Sequence, residues 1–313
     1  MAEENNLPQV FQTTDDIGQF EAANNALLGI GAKIISDLVA PQSPTFGLFH
    51  YTSSDGFKGI IESNSIRLSD CFFLNDGSEV HYSNQLLWKE IEKFSDAHAS
   101  KRIKGAAEYI RNQVTQVAIS YRPVIFCLSS RPNLLNQWRD YGRDVVPYCV
   151  QFQPEALLSP DWSFSCSLFP MTYEENTQES IIKTLIESIM DAYFSNSRPF
   201  IHDSTQSTLF NTIVHEIWNV LVQFKHPAFE AEQEWRLASY SSWLDGQSVK
   251  FRTSTLGIVP YYARTPRIGT RLPITKVWVG PSPWGRVSQQ ALDIFLGANG
   301  YEVETEASDI PAR

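Results

Sequence analysis

This chain is short of the residues that mark the commonest catalytic and metal centres. Its four cysteines, Cys71, Cys127, Cys149 and Cys166, include no Cys-x-x-Cys pair, and no histidine stands at zinc-finger spacing from them. That argues against a structural zinc site and a disulfide framework, and the four read as reduced thiols buried in a core. His215-Glu216 opens like a zinc-protease helix, but residue 219 is Asn, so the second ligand is missing. Neither a Gly-x-Ser-x-Gly elbow nor a Walker loop occurs, which removes the corresponding hydrolases and nucleotidases. Gly29-x-Gly31 has no third glycine and no preceding strand, so it is not a dinucleotide fingerprint. Positive charge is scarce too: 25 Lys and Arg against 35 Asp and Glu leave a net charge of -10. A broad basic surface for nucleic-acid backbone is therefore not indicated. Apolar runs such as Val124–Leu128 are too short to span a bilayer, and the polar start MAEENNLPQV has no signal-peptide core. The expectation is a soluble cytoplasmic protein, not at a membrane, that uses no metal.

What is present is a well-filled globular chain. The 313 residues are 42% hydrophobic and 19% charged, with eight Trp and nineteen Phe. That length suits one large domain or two ordinary ones. Helical periodicity runs from Asp15 to about Leu38 through Ile17, Phe20, Ala23, Leu27, Ile30 and Ile34. Strands are expected at 46–52, 65–69, 124–130, 148–153, 164–173, 232–240, 250–255, 274–279 and 301–306. Helices are expected after Ser54 or Asp55 as N-cap, in two pieces over 80–120, and over 177–194, 205–224 and 288–296. Asn75-Asp76-Gly77 reads as a turn, with Asp76 or Ser78 capping the helix that follows. The fold class is α+β, with a largely antiparallel sheet core. Residues 1–45 form an N-terminal helical extension, and 46–313 form the main domain with helical insertions near 80–120 and 174–226.

Two segments carry the polar residues worth following. Leu48-Phe49-His50-Tyr51-Thr52 is a strand ending in a histidine and two hydroxyls, followed by a Ser-Ser-Asp-Gly turn. Far along the chain, Glu232-Gln233-Glu234-Trp235-Arg236 reads as a strand. Alternation then puts Glu232, Glu234 and Arg236 on one face and Gln233, Trp235 and Leu237 on the other. Two carboxylates so placed repel, and one stays protonated unless a cation or solvent relieves it. The plain alternative is a sheet-edge salt bridge from Arg236 to one glutamate, with the other solvated.

The combined pattern says more than its parts. It runs Leu48-Phe49-His50-Tyr51-Thr52, Leu74-Asn75-Asp76-x-x-Glu79, Phe126-Cys127-Leu128-Ser129, Trp138-x-x-Tyr141-Gly142, Phe224-Lys225-His226-Pro227, Glu232-x-Glu234-Trp235-Arg236, and Ser308-x-Ile310-Pro311-x-Arg313. Over residues 46–313 this resembles a bacterial family of domains of unknown function grouped with the ADP-ribosyltransferase-like folds. The resemblance implies an ADP-ribosyltransferase-like split sheet and NAD as substrate. It implies that His50, with Tyr51 and Thr52, holds the nicotinamide-side ribose, as in a His-x-Thr signature. Tyr141 or Trp138 would stack on nicotinamide. Glu234, with Glu232 second, would face the ribose as the catalytic carboxylate. Ser129 is similar to the serine of the arginine-modifying class, and Arg236 would contact a phosphate or orient Glu234.

The expected activity is NAD-consuming ADP-ribosyl transfer or NAD hydrolysis, in a toxin or anti-phage effector. The macromolecular acceptor is not specified by the sequence, and the helical insertion offers a surface for a partner protein. The alternatives are a non-catalytic nucleotide- or protein-binding module of the same fold, and a transferase of the RNA 2′-phosphotransferase kind. The last expects a basic pocket rim, which the net charge disfavours.

Overall fold

A computed structural model of the chain describes residues 14–40, 42–44, 47–73, 78–117, 122–142, 145–195, 204–240, 247–254 and 257–311. In chain order the elements are α1 (Thr14–Leu27), α2 (Ile30–Leu38), β1 (Leu48–Thr52), α3 (Ser54–Ser63), β2 (Ile66–Asp70), α4 (Ser78–Asp96), α5 (Lys101–Val117) and β3 (Pro123–Ser129). There follow α6 (Leu135–Gln137), β4 (Tyr148–Phe152), α7 (Pro154–Leu157), β5 (Ser167–Pro170), α8 (Glu175–Ser195) and α9 (Ser204–Leu221). The chain closes with β6 (Glu234–Tyr240), β7 (Lys250–Ser254), β8 (Gly257–Arg264), β9 (Ile274–Val279), α10 (Gly285–Ala298) and β10 (Glu304–Ala307). The Asn75-Asp76-Gly77 turn lies outside the described residues. The fold is α+β, and among the described residues every strand pair except β9–β10 is antiparallel.

The chain divides into two compact units, each assembled from three segments. One takes Gln42–Gly77, Arg122–Tyr173 and Lys225–Arg313 and contains the ten strands found among the described residues. Its sheet is organised around β3. One edge of β3 pairs with β6 along its whole length, from Pro123↔Tyr240 to Ser129↔Glu234. The other edge is shared. β2 pairs at Val124 and Ile125, and β1 pairs at Ser129. Among the described residues Phe126 to Leu128 have no strand partner on that edge, so β1 and β2 part company there and the sheet is forked. Beyond β1 lie β4, β9 and β10; beyond β2 lie β8 and β7.

Strand alternation gives this sheet two unlike faces. One carries Leu48, Leu68, Val124, Phe126, Leu128, Val150, Trp235, Leu237 and Val277, closed over by Phe57, Ile60 and Ile61 of α3 and Leu292 and Leu296 of α10. Burying each such side chain stabilises the fold by about 1.5–3 kcal/mol. The other face has a smaller apolar patch of Phe49, Tyr51, Trp138, Cys149 and Trp278, and beside it the polar Ser129, Glu234 and Arg236. Helix α3 starts at Ser53, whose hydroxyl accepts from the Gly56 amide at 3.2 Å, so the cap is one residue earlier than the sequence suggests. It ends at Asn64, in the left-handed region at φ 46°.

The second unit takes Met1–Pro41, Ser78–Tyr121 and Glu174–Phe224, and its described elements are helices. Ile181, Ile182, Leu185, Ile186, Ile189 and Met190 of α8 are buried, as are Leu209, Ile213, Ile217 and Leu221 of α9. The helix expected from Asp15 to Leu38 is two helices instead, broken where Gly29 takes φ 78°. The amides of Gly29 and Gly31 both donate to the carboxylate of Glu216, each at 3.0 Å. The glycine pair is thus the N-terminus of α2 wrapped on a buried anion, a favourable end for negative charge.

Candidate functional site

The acidic segment departs from the expected strand. Pro227–Glu232 is a 3-10 turn, Gln233 sits at φ 50°, and the strand begins only at Glu234. The proline fixes the turn, and the left-handed residue reverses the local twist between the two acids. Both carboxylates nevertheless converge on one ammonium. Lys225 Nζ donates to Glu232 Oε2 at 2.7 Å and also to Glu234 Oε2. Arg236 Nε donates to Glu234 Oε1 at 2.6 Å. The Tyr141 hydroxyl donates to Glu232 Oε2 at 3.2 Å.

None of this is a solvated sheet edge, so the plain reading of Arg236 as a surface ion pair does not hold. Lys225 is 1% exposed, Arg236 4%, Glu234 5% and Glu232 6%. Two basic and two acidic side chains are buried together as one hydrogen-bonded set. Burial alone would raise the Glu234 carboxyl, but the charges of Arg236 and Lys225 outweigh it and hold the group well below the usual carboxylate range. Removing one member of such a set strands a buried charge, at a cost of about 3–5 kcal/mol.

The backbone around the acids is clamped on both sides. Ser129 Oγ donates to the Glu232 carbonyl at 2.8 Å, and the Ser130 amide donates to the Gln233 carbonyl at 2.9 Å. The Glu234 amide donates to the Tyr173 hydroxyl at 2.8 Å, and its carbonyl accepts from Met171. Ser129 is therefore spent on holding the left-handed turn at the end of β3.

His50 lies at the fork. Its Nδ1 is 2.9 Å from the Cys127 carbonyl oxygen, on the stretch of β3 that neither β1 nor β2 pairs with. A carbonyl can only accept, so Nδ1 carries the proton and Nε2 does not. The ring stacks on Phe126, with centroids 4.2 Å apart. Burial is the main cause that lowers its pKa to about 4, with the nearby Arg252 charge adding to it, so the imidazole is neutral at physiological pH. The register has a further consequence. Phe49 pairs with Ser129 and Ser129 pairs with Glu234, so these three share a face. His50 is the next residue along β1, so its side chain starts from the other face, and its ring lies in the fork against Phe126 and the Cys127 carbonyl.

The remaining candidates divide. The Tyr51 hydroxyl donates to the Arg131 carbonyl at 2.8 Å and accepts from the Leu134 amide at 3.0 Å. It anchors the loop after β3. Trp138 packs edge-on against Tyr51 with centroids 4.9 Å apart, and its Nε1 donates to Asn133 at 3.0 Å. Trp138 is 4% exposed, a core residue with no free face for a stacking ligand. Thr52 pairs with Tyr148 at the end of β1. Tyr141, on the π-helical turn Trp138–Gly142, is the aromatic residue that reaches the acids. Burial pushes its phenol up, so it acts as a hydrogen-bond donor.

Phe49, His50, Tyr51, Cys127, Leu128, Gln137, Tyr141, Glu232 and Glu234 line one cavity of about 30 Å³. That volume accommodates about one water molecule. The sequence brought His50, Tyr51, Tyr141, Glu232 and Glu234 forward as candidates, and they meet here; Ser129 and Arg236 border the acids, and Trp138 and Thr52 serve the framework. Lys225, Tyr173 and Gln137 went unassigned. For Lys225 a signal existed: two buried acids close in sequence require cations, and Lys225 and Arg236 flank them. Among the described residues no three His, Cys, Asp or Glu side chains gather as a metal site, and no helix is long and apolar enough to cross a membrane.

Comparison with known proteins gives one match. Residues 137–237 are similar to a family described as "Protein of unknown function (DUF2971)", consistent with an uncharacterised domain family. The matched stretch holds Tyr141, Lys225, Glu232, Glu234 and Arg236 and stops short of His50. No curated protein and no solved structure matches the chain.

Proposed function

We propose that the sheet unit is an ADP-ribosyltransferase-like module that cleaves the nicotinamide–ribose bond of NAD, with water or a macromolecule as acceptor. One observation carries the reading: His50, Tyr141, Glu232 and Glu234, drawn from three distant segments, line a single cavity beside the fork of the sheet. Breaking that bond sends its electron pair out with nicotinamide and leaves positive charge on the sugar ring. A carboxylate kept ionised beside the ring stabilises that charge. Glu234 suits the role because Arg236 and Lys225 keep it deprotonated. Glu232 is the second carboxylate, and it takes the proton of the attacking water or acceptor hydroxyl. Ribose entry widens the cavity and moves the Tyr141 hydroxyl from Glu232 onto the sugar. His50 has a narrower part than the ribose contact expected from the sequence: it braces the fork through the Cys127 carbonyl. The biological setting of this proposal is a cytoplasmic effector of the toxin or anti-phage kind, with the helical unit as the surface for a partner protein.

A specific observation favours a second reading, a nucleotide-binding module without turnover. Glu234 already accepts from both Lys225 and Arg236, which commits both of its oxygens to the protein. Incubation with NAD, followed by quantification of free nicotinamide, separates the two. Under the first reading nicotinamide accumulates, Glu234→Gln lowers its rate by about 10²–10³, and Glu90→Gln leaves it unchanged. Tyr141→Phe, which spares the ion set, lowers the rate by about tenfold, as expected for one lost hydrogen bond. Saturable NAD binding with no nicotinamide supports the second reading and excludes the first.

A further inference from the structure

Two arginines of the sheet unit stand apart from the acidic set and share a different environment. Arg67 and Ser69 lie on β2, Tyr261 on β8, and Arg252 on β7. The pairs Ser69↔Tyr261 and Lys250↔Tyr261 put all of these side chains, with Lys250, on one face of the sheet. Ser69 also pairs with Ile125, so the same face continues along β3 through Cys127 to Ser129 and Glu234. A basic end and an acidic end thus belong to one continuous surface of the sheet.

Three other buried or half-buried arginines of this unit have matched partners. Arg236 is held by Glu234, and Arg122 Nη1 lies 3.1 Å from Asp70. Arg264 donates to the Phe164 and Leu157 carbonyls, both at 2.9 Å, and lies over the Trp162 ring. Arg67 and Arg252 do not follow this pattern. Arg252 Nη2 donates to Ser69 Oγ at 3.2 Å, and the Arg67 guanidinium lies 5.3 Å over the Tyr261 ring. Among the described residues no carboxylate meets either of them. The charged and titratable groups that face Arg252 are Arg67, Tyr261, Cys127 and His50. Both arginines are half-buried. Burial first, and then the Arg67 charge, pull Arg252 below its ordinary value, which marks two like charges held together out of bulk water.

Helix α3 makes room for this arrangement. A Cβ at Gly59 would collide with the Arg67 guanidinium, so the glycine lets Arg67 lie between the helix and the Tyr261 ring. Two adjacent guanidiniums without an anion repel, and a ligand with more than one negative charge relieves both at once. Planar forks with several N–H donors match phosphoryl oxygens, and the Ser69 hydroxyl, which accepts from Arg252, keeps its own proton to donate.

We infer that Arg67, Arg252 and Ser69 form a binding site for the diphosphate of a free nucleotide, on the same sheet face as Glu234. This inference deepens the reading above but needs only binding, not cleavage of NAD.

Titration calorimetry on the full chain tests it, with ADP, inorganic pyrophosphate, inorganic sulfate and adenosine as probes. ADP and pyrophosphate are expected to bind with an affinity that falls as sodium chloride rises, while adenosine and sulfate bind at least tenfold more weakly. Arg67→Gln and Arg252→Gln should each weaken ADP by roughly 10- to 100-fold, the range for a lost charge-assisted hydrogen bond. Gly59→Ala should weaken ADP while leaving the melting temperature equal or higher, because alanine favours the helix but displaces Arg67. Thermal melts of all three variants confirm that they are folded. ADP binding that is absent, that adenosine or sulfate equals, or that survives both arginine substitutions overturns the site. Arginine-dependent ADP binding without nicotinamide release keeps this site and removes only the proposed cleavage.

Discussion

At the scale of single residues, His50 and Glu234 make the same demand on pH through opposite chemistry. His50 has its pKa lowered from 6.5 to about 4, chiefly by burial against the sheet core. As the pH falls below 6.5 the unfolded chain takes up the proton and the folded chain does not. The contribution of His50 to stability is therefore complete above pH 6.5 and is lost between 6.5 and 4, by at most about 3 kcal/mol. Glu234, held low by Arg236 and Lys225 against its burial, contributes above its ordinary 4.5 and loses that contribution as the pH falls further. Urea-unfolding free energies should fall steadily from pH 6.5 to 4. In His50→Asn, whose amide still donates to the Cys127 carbonyl, the slope between pH 6.5 and 4.5 should flatten; an unchanged slope would assign it to other groups. Much of this site was legible at the residue level, because a strand-end histidine and two nearby acids are visible as letters. What the letters do not carry is direction. Gln233 entering the left-handed region and His50 turning into the fork depend on Ser129, Ser130 and Cys127, which reach these residues only once the sheet has formed.

At the scale of elements, local chemistry decides where helices start and stop, and the α1–α2 junction shows how. The apolar spacing from Ile17 to Ile34 is helical throughout, so periodicity alone joins what Gly29 divides. The break is set by a distant side chain, Glu216, which collects the Gly29 and Gly31 amides. Its carboxyl is raised by burial but brought below its ordinary value by His215 and by those two amides. Glu216→Gln should destabilise the helical unit by about 1–3 kcal/mol, as one acceptor turns donor against a buried amide. Gly31→Ala should be similarly costly, since its Cβ would stand 3.0 Å from Val220 and 3.1 Å from the Glu216 carbonyl. Gly29→Ala meets open space and is penalised only for φ 78°, by about 1–2 kcal/mol. Denaturant midpoints for the three variants check this. Other elements were hidden for different reasons. Strand β8 was not singled out from the sequence, because Pro260 sits inside it and adjacent Tyr261 and Tyr262 blur its alternation. The strand expected from Glu232 starts two residues late because Pro227 commits the chain to a turn.

At the scale of the whole molecule, the order of segments and the grouping of segments are different things. Read along the chain, residues 1–45 look like an extension ahead of a main domain. In three dimensions α1 and α2 pack on α8 and α9 within the helical unit. Ala23 and Leu27 of α1 and Ile34 of α2 are buried there, and Asn24 Oδ1 accepts from the Thr212 hydroxyl at 2.7 Å. Removing residues 1–41 would uncover part of the apolar faces of α8 and α9 and leave the buried Glu216 without its two amides. A buried carboxylate stripped of two donors and a newly exposed apolar stripe both favour unfolding or association. The truncated chain should therefore lose protection from hydrogen exchange in α8 and α9 and elute as aggregate on size exclusion. The ten strands lie outside the unit being cut, so the β3 and β6 amides should keep their protection in whatever soluble fraction remains. A monodisperse truncated chain with α8 and α9 as protected as before would mean that the N-terminal helices are an appendage after all, and that Glu216 finds water in place of Gly29 and Gly31.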